Sequence, residues 1–114
     1  MNPAERNRRR LEWLRQYVFD PVYWSRGEDL LQRGRVRSCE FSADERRWHI
    51  AGRVQGTQRA PYAQNIDVSW EGEDDVKPSS IECSCTCPIG EACKHCAALL
   101  LEFSERLAEQ EAGG

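Results

Sequence analysis

Five of the six cysteines, Cys83, Cys85, Cys87, Cys93 and Cys96, fall within fourteen residues. His95 lies among them, and Cys39 stands alone. The run reads Cys83-Ser84-Cys85-Thr86-Cys87-Pro88-Ile89-Gly90-Glu91-Ala92-Cys93-Lys94-His95-Cys96-Ala97. A tetrahedral zinc ion needs four soft donors and usually takes them as two close pairs from two chain segments. Cys85 and Cys87 straddle one residue at a strand end, where side chains two apart share a face. Pro88 and Gly90 turn the chain, and Cys93 and His95 supply the second pair as a helix opens. The partial positive charge of a helix N-terminus favours thiolate there. Cys85, Cys87, Cys93 and His95 therefore predict one structural Zn2+, closed by four protein ligands with no open position for water or substrate. Three thiolates against one dication leave a charge of −1, which Lys94 and the helix dipole offset.

Two other cysteines compete for this role. Cys83 could replace Cys85, but it shares strand parity with Ile81 and reads as a small apolar packing residue. Cys96 completes Cys93-Lys94-His95-Cys96, a Cys-x-x-Cys pair of the kind thiol–disulfide oxidoreductases place at a helix start. Yet Cys96, Leu100, Phe103 and Leu107 recur at spacings of four, three and four, one buried helical stripe. No alternating α/β pattern precedes the pair. A zinc site using Cys83 or Cys96, and redox or iron–sulfur chemistry, stand behind the first set as alternatives.

The pattern Cys-x-Cys-Pro, a short Gly-containing loop, then Cys-Lys-His before Ala97-Ala98-Leu99-Leu100-Leu101 resembles the SWIM zinc finger over roughly residues 83–103. Upstream, Tyr23-Trp24-Ser25-Arg26-Gly27 through Arg33-Gly34-Arg35-Val36, and then Ile50-Ala51-Gly52-Arg53-Val54-Gln55-Gly56, are similar to the stretch preceding the finger in bacterial SWIM proteins. These include Swi/Snf-type helicases with the finger at their N-terminus. The resemblance implies a module that binds DNA or a protein partner on behalf of a larger, helicase-like machine. Cys83 and Cys96 flank the motif as a departure from it.

The elements that must position these donors can be read from spacing. Asn2-Pro3-Ala4-Glu5 is a helix start, with Asn as cap and Pro at the first helical position. Leu11, Leu14, Tyr17 and Val18 follow at helical spacing, with Arg6, Arg8, Arg9 and Arg15 on other faces. The helix should stop before Asp20-Pro21. Asp20 can cap a second helix running to about Arg33, ended by Gly34 in the left-handed region. The period then changes to two: Cys39 and Phe41, then Trp48, Ile50 and Val54, then Ile66, Val68 and Trp70. Short connections at Asp44-Glu45-Arg46-Arg47 and Gly56-Thr57-Gln58-Arg59-Ala60-Pro61 make an antiparallel meander the simplest topology. Glu71-Gly72-Glu73-Asp74-Asp75 reads as an acidic loop, Ile81 to Cys85 as a fourth strand, and Lys94 to about Glu111 as a helix. The expected class is α+β, a single domain over residues 1–114 with the finger at 83–103 and a helical and strand extension at 3–82. No repeat is visible.

At 114 residues, 31 % charged and 39 % hydrophobic, the chain suits one globular domain with a modest core. Metal ligation can add roughly ten kcal/mol of folding free energy to such a domain. No apolar run approaches the roughly 18 residues of a membrane span, and no apolar stretch follows Met1, so a cytosolic protein without membrane attachment is expected. Residues 1–59 hold 13 Arg and no Lys against 8 acidic residues, a charge of +5. Residues 60–114 hold 1 Arg and 2 Lys against 11, a charge of −8. The basic half offers Arg8, Arg9, Arg33, Arg35 and Lys94 as phosphate contacts. Solvated faces of opposite sign that attract each other explain the same asymmetry. No phosphate-binding Gly-x-x-x-x-Gly-Lys-Ser/Thr loop is present, and no Ser-His-Asp set can be built around His49, read as an outward strand residue. Trp13, Trp24, Trp48 and Trp70 could stack bases, but Trp48 and Trp70 fall in the apolar phase of strands and read as core. The expectation is a binding module and not an enzyme, with DNA or a protein as partner.

Overall fold

The computed structural model describes residues 1–113. Helix α1 spans Pro3–Tyr17 and α2 spans Pro21–Gln32. Asn2 caps α1 by accepting from the Glu5 N–H at 2.8 Å, and Asp20 caps α2 by accepting from the Val22 N–H at 2.8 Å. Gly34, at φ +70°, ends α2, with its N–H on the Leu31 carbonyl and the Arg35 N–H on the Leu30 carbonyl, both 3.0 Å. That pair of bonds is the glycine-dependent helix stop that the sequence predicts.

Strands β1 (Val36–Ala43), β2 (Arg47–Val54), β3 (Tyr62–Ser69) and β4 (Ser80–Cys85) form one antiparallel sheet in the order β1-β2-β3-β4. The meander and its fourth strand stand where the period-two pattern places them. Asp44 sets the first turn by accepting from the Arg46 and Arg47 N–H groups, each at 2.8 Å. The register stacks Phe41, Ile50, Ile66 and Cys83 in one row across the sheet, and Cys39, Gly52, Gln64 and Cys85 in the next. This inner face packs under α3 (Lys94–Gly113), which touches all four strands and both other helices.

Every residue from His95 to Leu100 is buried. A helix apolar on all sides must be covered on all sides, and α3 lies between the sheet and α2. Two glycines permit the close approach. A Cβ at Gly27 would lie 2.6 Å from the Ala97 Cβ, and one at Gly52 would overlap both the Leu99 side chain and the Ser38 carbonyl oxygen. Cys96, Leu100, Phe103 and Leu107 are the buried stripe predicted for α3.

Trp24, Trp48 and Trp70 are core, with Trp48 edge-on to both Trp70 (4.8 Å) and Phe103 (5.0 Å). They are closed to base stacking. His49 faces outward and pairs with Asp67 at 2.7 Å. No helix among the described residues is long and apolar enough to cross a membrane.

Arg10 is fully buried under the acidic loop, its guanidinium 3.9 Å from the centre of the Trp70 ring. It donates to the carbonyls of Asp75 (2.7 Å), Glu73 (2.9 Å) and Gly72 (3.4 Å). Burial first, then the neighbouring Arg6, lowers its pKa to about 10, so it is cationic at neutral pH. The acidic loop is thus pinned through its backbone carbonyls, chiefly by Arg10, with Arg6 adding a longer bond to the Glu73 carbonyl at 3.4 Å.

Candidate metal centre

Cys85 is the last residue of β4. Thr86 extends the pairing briefly, its N–H on the Ala63 carbonyl and its hydroxyl accepting from the Ala63 N–H, both 3.0 Å. The chain then turns back on itself: Gly90 adopts φ +86° and its carbonyl accepts from the Cys85 N–H at 2.8 Å. Ala92 is held at φ +42°, uncommon for a residue with a Cβ, immediately before Cys93. Backbone strain of this kind, on the order of 1–2 kcal/mol, persists where surrounding contacts enforce it. Here it aims Cys93 at the opening turn of α3.

The geometry brings Cys85, Cys87, Cys93 and His95 together, all four buried, with one donor atom from each within 4.8 Å of the others. His95 presents Nδ1, which lies 3.8 Å from the Cys85 sulfur and 3.7 Å from the Cys93 sulfur. With Zn–S near 2.3 Å and Zn–N near 2.0–2.1 Å, tetrahedral geometry separates sulfur from nitrogen by about 3.5 Å. The donor set and its spacing fit a tetrahedral dication of the zinc type.

The surroundings hold the ligands in place. Gln64, 1 % exposed, donates through Nε2 to the Cys85 sulfur at 3.4 Å and to the Tyr62 carbonyl at 2.8 Å. The Cys93 carbonyl accepts from the Ala97 N–H at 3.0 Å, which ties Cys93 to the first turn of α3. Such outer partners orient ligands and favour the thiolate. Tyr62 packs against the His95 ring with centroids 4.7 Å apart, and Gly56 leaves room behind it, since a Cβ there would lie 3.0 Å from Nε2.

In the absence of a cation, burial pushes the Cys85 thiol up to about 12. The Cys93 thiol is raised as well, first by its hydrogen bond with Cys96 and then by burial. A low-dielectric pocket does not hold three thiolates without a counter-charge, so metal uptake must expel protons.

Cys83 lies outside the cluster, half-buried beside Ile66, and burial pushes its thiol up to about 12. Cys96 is fully buried and points its sulfur at the Ser84 carbonyl, 3.6 Å away. Both are placed as packing residues.

The basic residues do not form one patch. Arg8 and Arg9 lie on exposed α1, Arg9 paired with Glu5. Arg8 borders a groove with Leu107 and Ala108 of α3, about 18 Å along that helix from His95. Arg33 pairs with Asp29, and Arg35 begins the link into β1. Lys94 alone of the five adjoins the metal cluster, where it lines a cavity of about 340 Å³ with Arg26 and Tyr23 of α2.

Sequence reasoning missed Gln64, Arg26 and Tyr23. Gln64 carried a signal, an amide in the apolar phase of β3. Tyr23 and Arg26 stood only in the upstream stretch that resembles SWIM proteins, with nothing to set them beside the metal donors, because only the packing of α2 on α3 brings them to the cluster.

No significant match exists among curated proteins or among solved structures. Residues 67–103, about a third of the chain, match the SWIM zinc finger family, a stretch running from β3 through all four clustered donors to Phe103 of α3.

Proposed function

We propose that the chain is a binding module organised by one structural zinc ion, held by Cys85, Cys87, Cys93 and His95, and that its partner is nucleic acid. The observation that carries the zinc reading is the buried set of four donors within 4.8 Å. Four protein ligands leave no position for substrate, so the role of the ion is structural and the module has no catalytic activity of its own. Ligands from the end of β4 and the turn after it, and from the residue before α3 and its first turn, tie the sheet to its covering helix.

The nucleic-acid reading is supported by Arg26 and Lys94, two cations beside the metal cluster that make no salt bridge among the described residues. In this reading the module places a larger helicase-like machine, in the cytosol, on its substrate. A protein-binding adaptor is the second reading, favoured by the exposed acidic side chains of Glu105 and Glu109 on the outer half of α3.

Salt separates the two. Nucleic-acid binding should fall steeply between about 50 and 200 mM salt, with a log–log slope of about −0.7 per phosphate for single strands and −0.9 for duplex. Binding undetectable at low salt by zinc-loaded protein overturns the nucleic-acid reading and leaves the adaptor.

A further inference from the structure

The cavity beside the metal cluster has the size and lining of a receptor for one nucleotide. Its volume is about 340 Å³. Arg26 and Lys94 supply positive charge, Thr57 a hydroxyl, and Tyr23, Pro88 and Ile89 apolar and aromatic surface. Ile89 is 53 % exposed, uncommon for an isoleucine. Gly27 brings the two cations to one wall: a Cβ there would lie 3.0 Å from the Lys94 carbonyl oxygen, so α2 sits directly against the first turn of α3. His95 also lines the cavity. It is 4 % exposed, and its buried Nε2 has no hydrogen-bond partner. With Nδ1 bound to the proposed zinc ion, Nε2 would carry the ring proton and be a donor.

Resting on the nucleic-acid reading above, we propose that this cavity binds one nucleotide of single-stranded nucleic acid, its phosphate on Arg26 and Lys94 and its base against Tyr23 and Ile89. The chemistry is that of single-strand binding surfaces, where cations follow the backbone and aromatic faces accept bases. Single-stranded nucleic acid is favoured over duplex by shape. Duplex readers push a helix or ribbon into a groove, whereas here the first turn of α3 is buried and the surface is recessed.

The test is fluorescence anisotropy of zinc-loaded protein with a labelled short oligothymidylate over a salt series. The wild type is compared with Arg26→Gln/Lys94→Gln, Tyr23→Leu and Arg8→Gln/Arg9→Gln, each checked for zinc content and circular dichroism. The expected result is a salt slope reduced by about 0.7 in the Arg26/Lys94 double variant, the loss of its one phosphate contact. Tyr23→Leu is expected to bind about tenfold more weakly, within the range for a lost base stack. An unchanged slope with wild-type binding intact overturns the cavity while sparing the nucleic-acid reading, all the more if Arg8→Gln/Arg9→Gln lowers it instead. Tighter binding of duplex than of oligothymidylate also overturns the cavity proposal. No binding of either, with capture of an acidic peptide in their place, overturns both readings.

Discussion

Replacing Arg10 by Met removes a buried cation while keeping an unbranched side chain against Trp70. Of the three hydrogen bonds lost, the two short ones, to Asp75 at 2.7 Å and Glu73 at 2.9 Å, come from a charged donor, and such bonds contribute about 1.5–3 kcal/mol each. The contact with the Trp70 ring contributes about 1 kcal/mol more. Against this stands the cost of burying the guanidinium, which the variant no longer carries and which is visible in its lowered pKa. A net loss of about 3 kcal/mol follows. At about 2.1 cal/mol/K per residue, a domain of this length unfolds with an entropy near 0.24 kcal/mol/K, so Tm should fall by about 12 °C. The site lies at the far end of β4 from Cys85, about 16 Å by strand rise, so zinc content should not change. The assay is thermal unfolding at fixed excess zinc, because bound metal itself raises Tm. A fall of less than about 4 °C with zinc retained would refute the claim that Arg10 pins the acidic loop.

Other perturbations probe the metal centre and the open sheet face. Gln64→Leu deletes the donor to the Cys85 sulfur and should weaken zinc affinity by about 10–100-fold in a chelator competition. His95→Ala should lose metal and much of the fold, whereas Cys96→Ser should keep stoichiometric zinc and lose only packing. Metal release by the second variant and not by the first would reverse the ligand assignment. On the outer face, the hydrogen bond from His49, with Arg47 behind it, holds Asp67 below the usual carboxylate range. Its folded pKa is therefore lower than its unfolded one, so its stabilising effect is present above about pH 4 and disappears as pH falls through the folded value. Asp67→Asn should be less stable by under about 1 kcal/mol at pH 6 in denaturant titrations, and equal to wild type near pH 2.

Much of this architecture is written in local signals. Asn2-Pro3 and Asp20-Pro21 set both helix starts, Gly34 the stop, and the alternation around Trp48, Ile50, Ile66 and Val68 the sheet, because each depends on residues adjacent in sequence. The metal cluster was legible for the same reason, all four donors lying between residues 85 and 95. What stayed hidden depends on distant segments. Arg10 reads as one arginine among several on α1 until the loop more than sixty residues away closes over it. Arg26 joins Lys94 only because Gly27 admits α3 so closely. The surface assignment of Arg8 and Arg9 followed charge alone, and the fold sets them at the other end of α3 from the cluster.

In the proposed module a metal ion organises the turn after β4 and the start of α3. Native mass spectrometry of protein purified without zinc supplementation, followed by hydrogen exchange before and after chelation, tests this directly. One zinc per chain, with amide protection in α3 and in the 86–93 turn lost on chelation, is the predicted result. A metal-free chain whose α3 amides are as protected as those of the zinc-loaded form would contradict it.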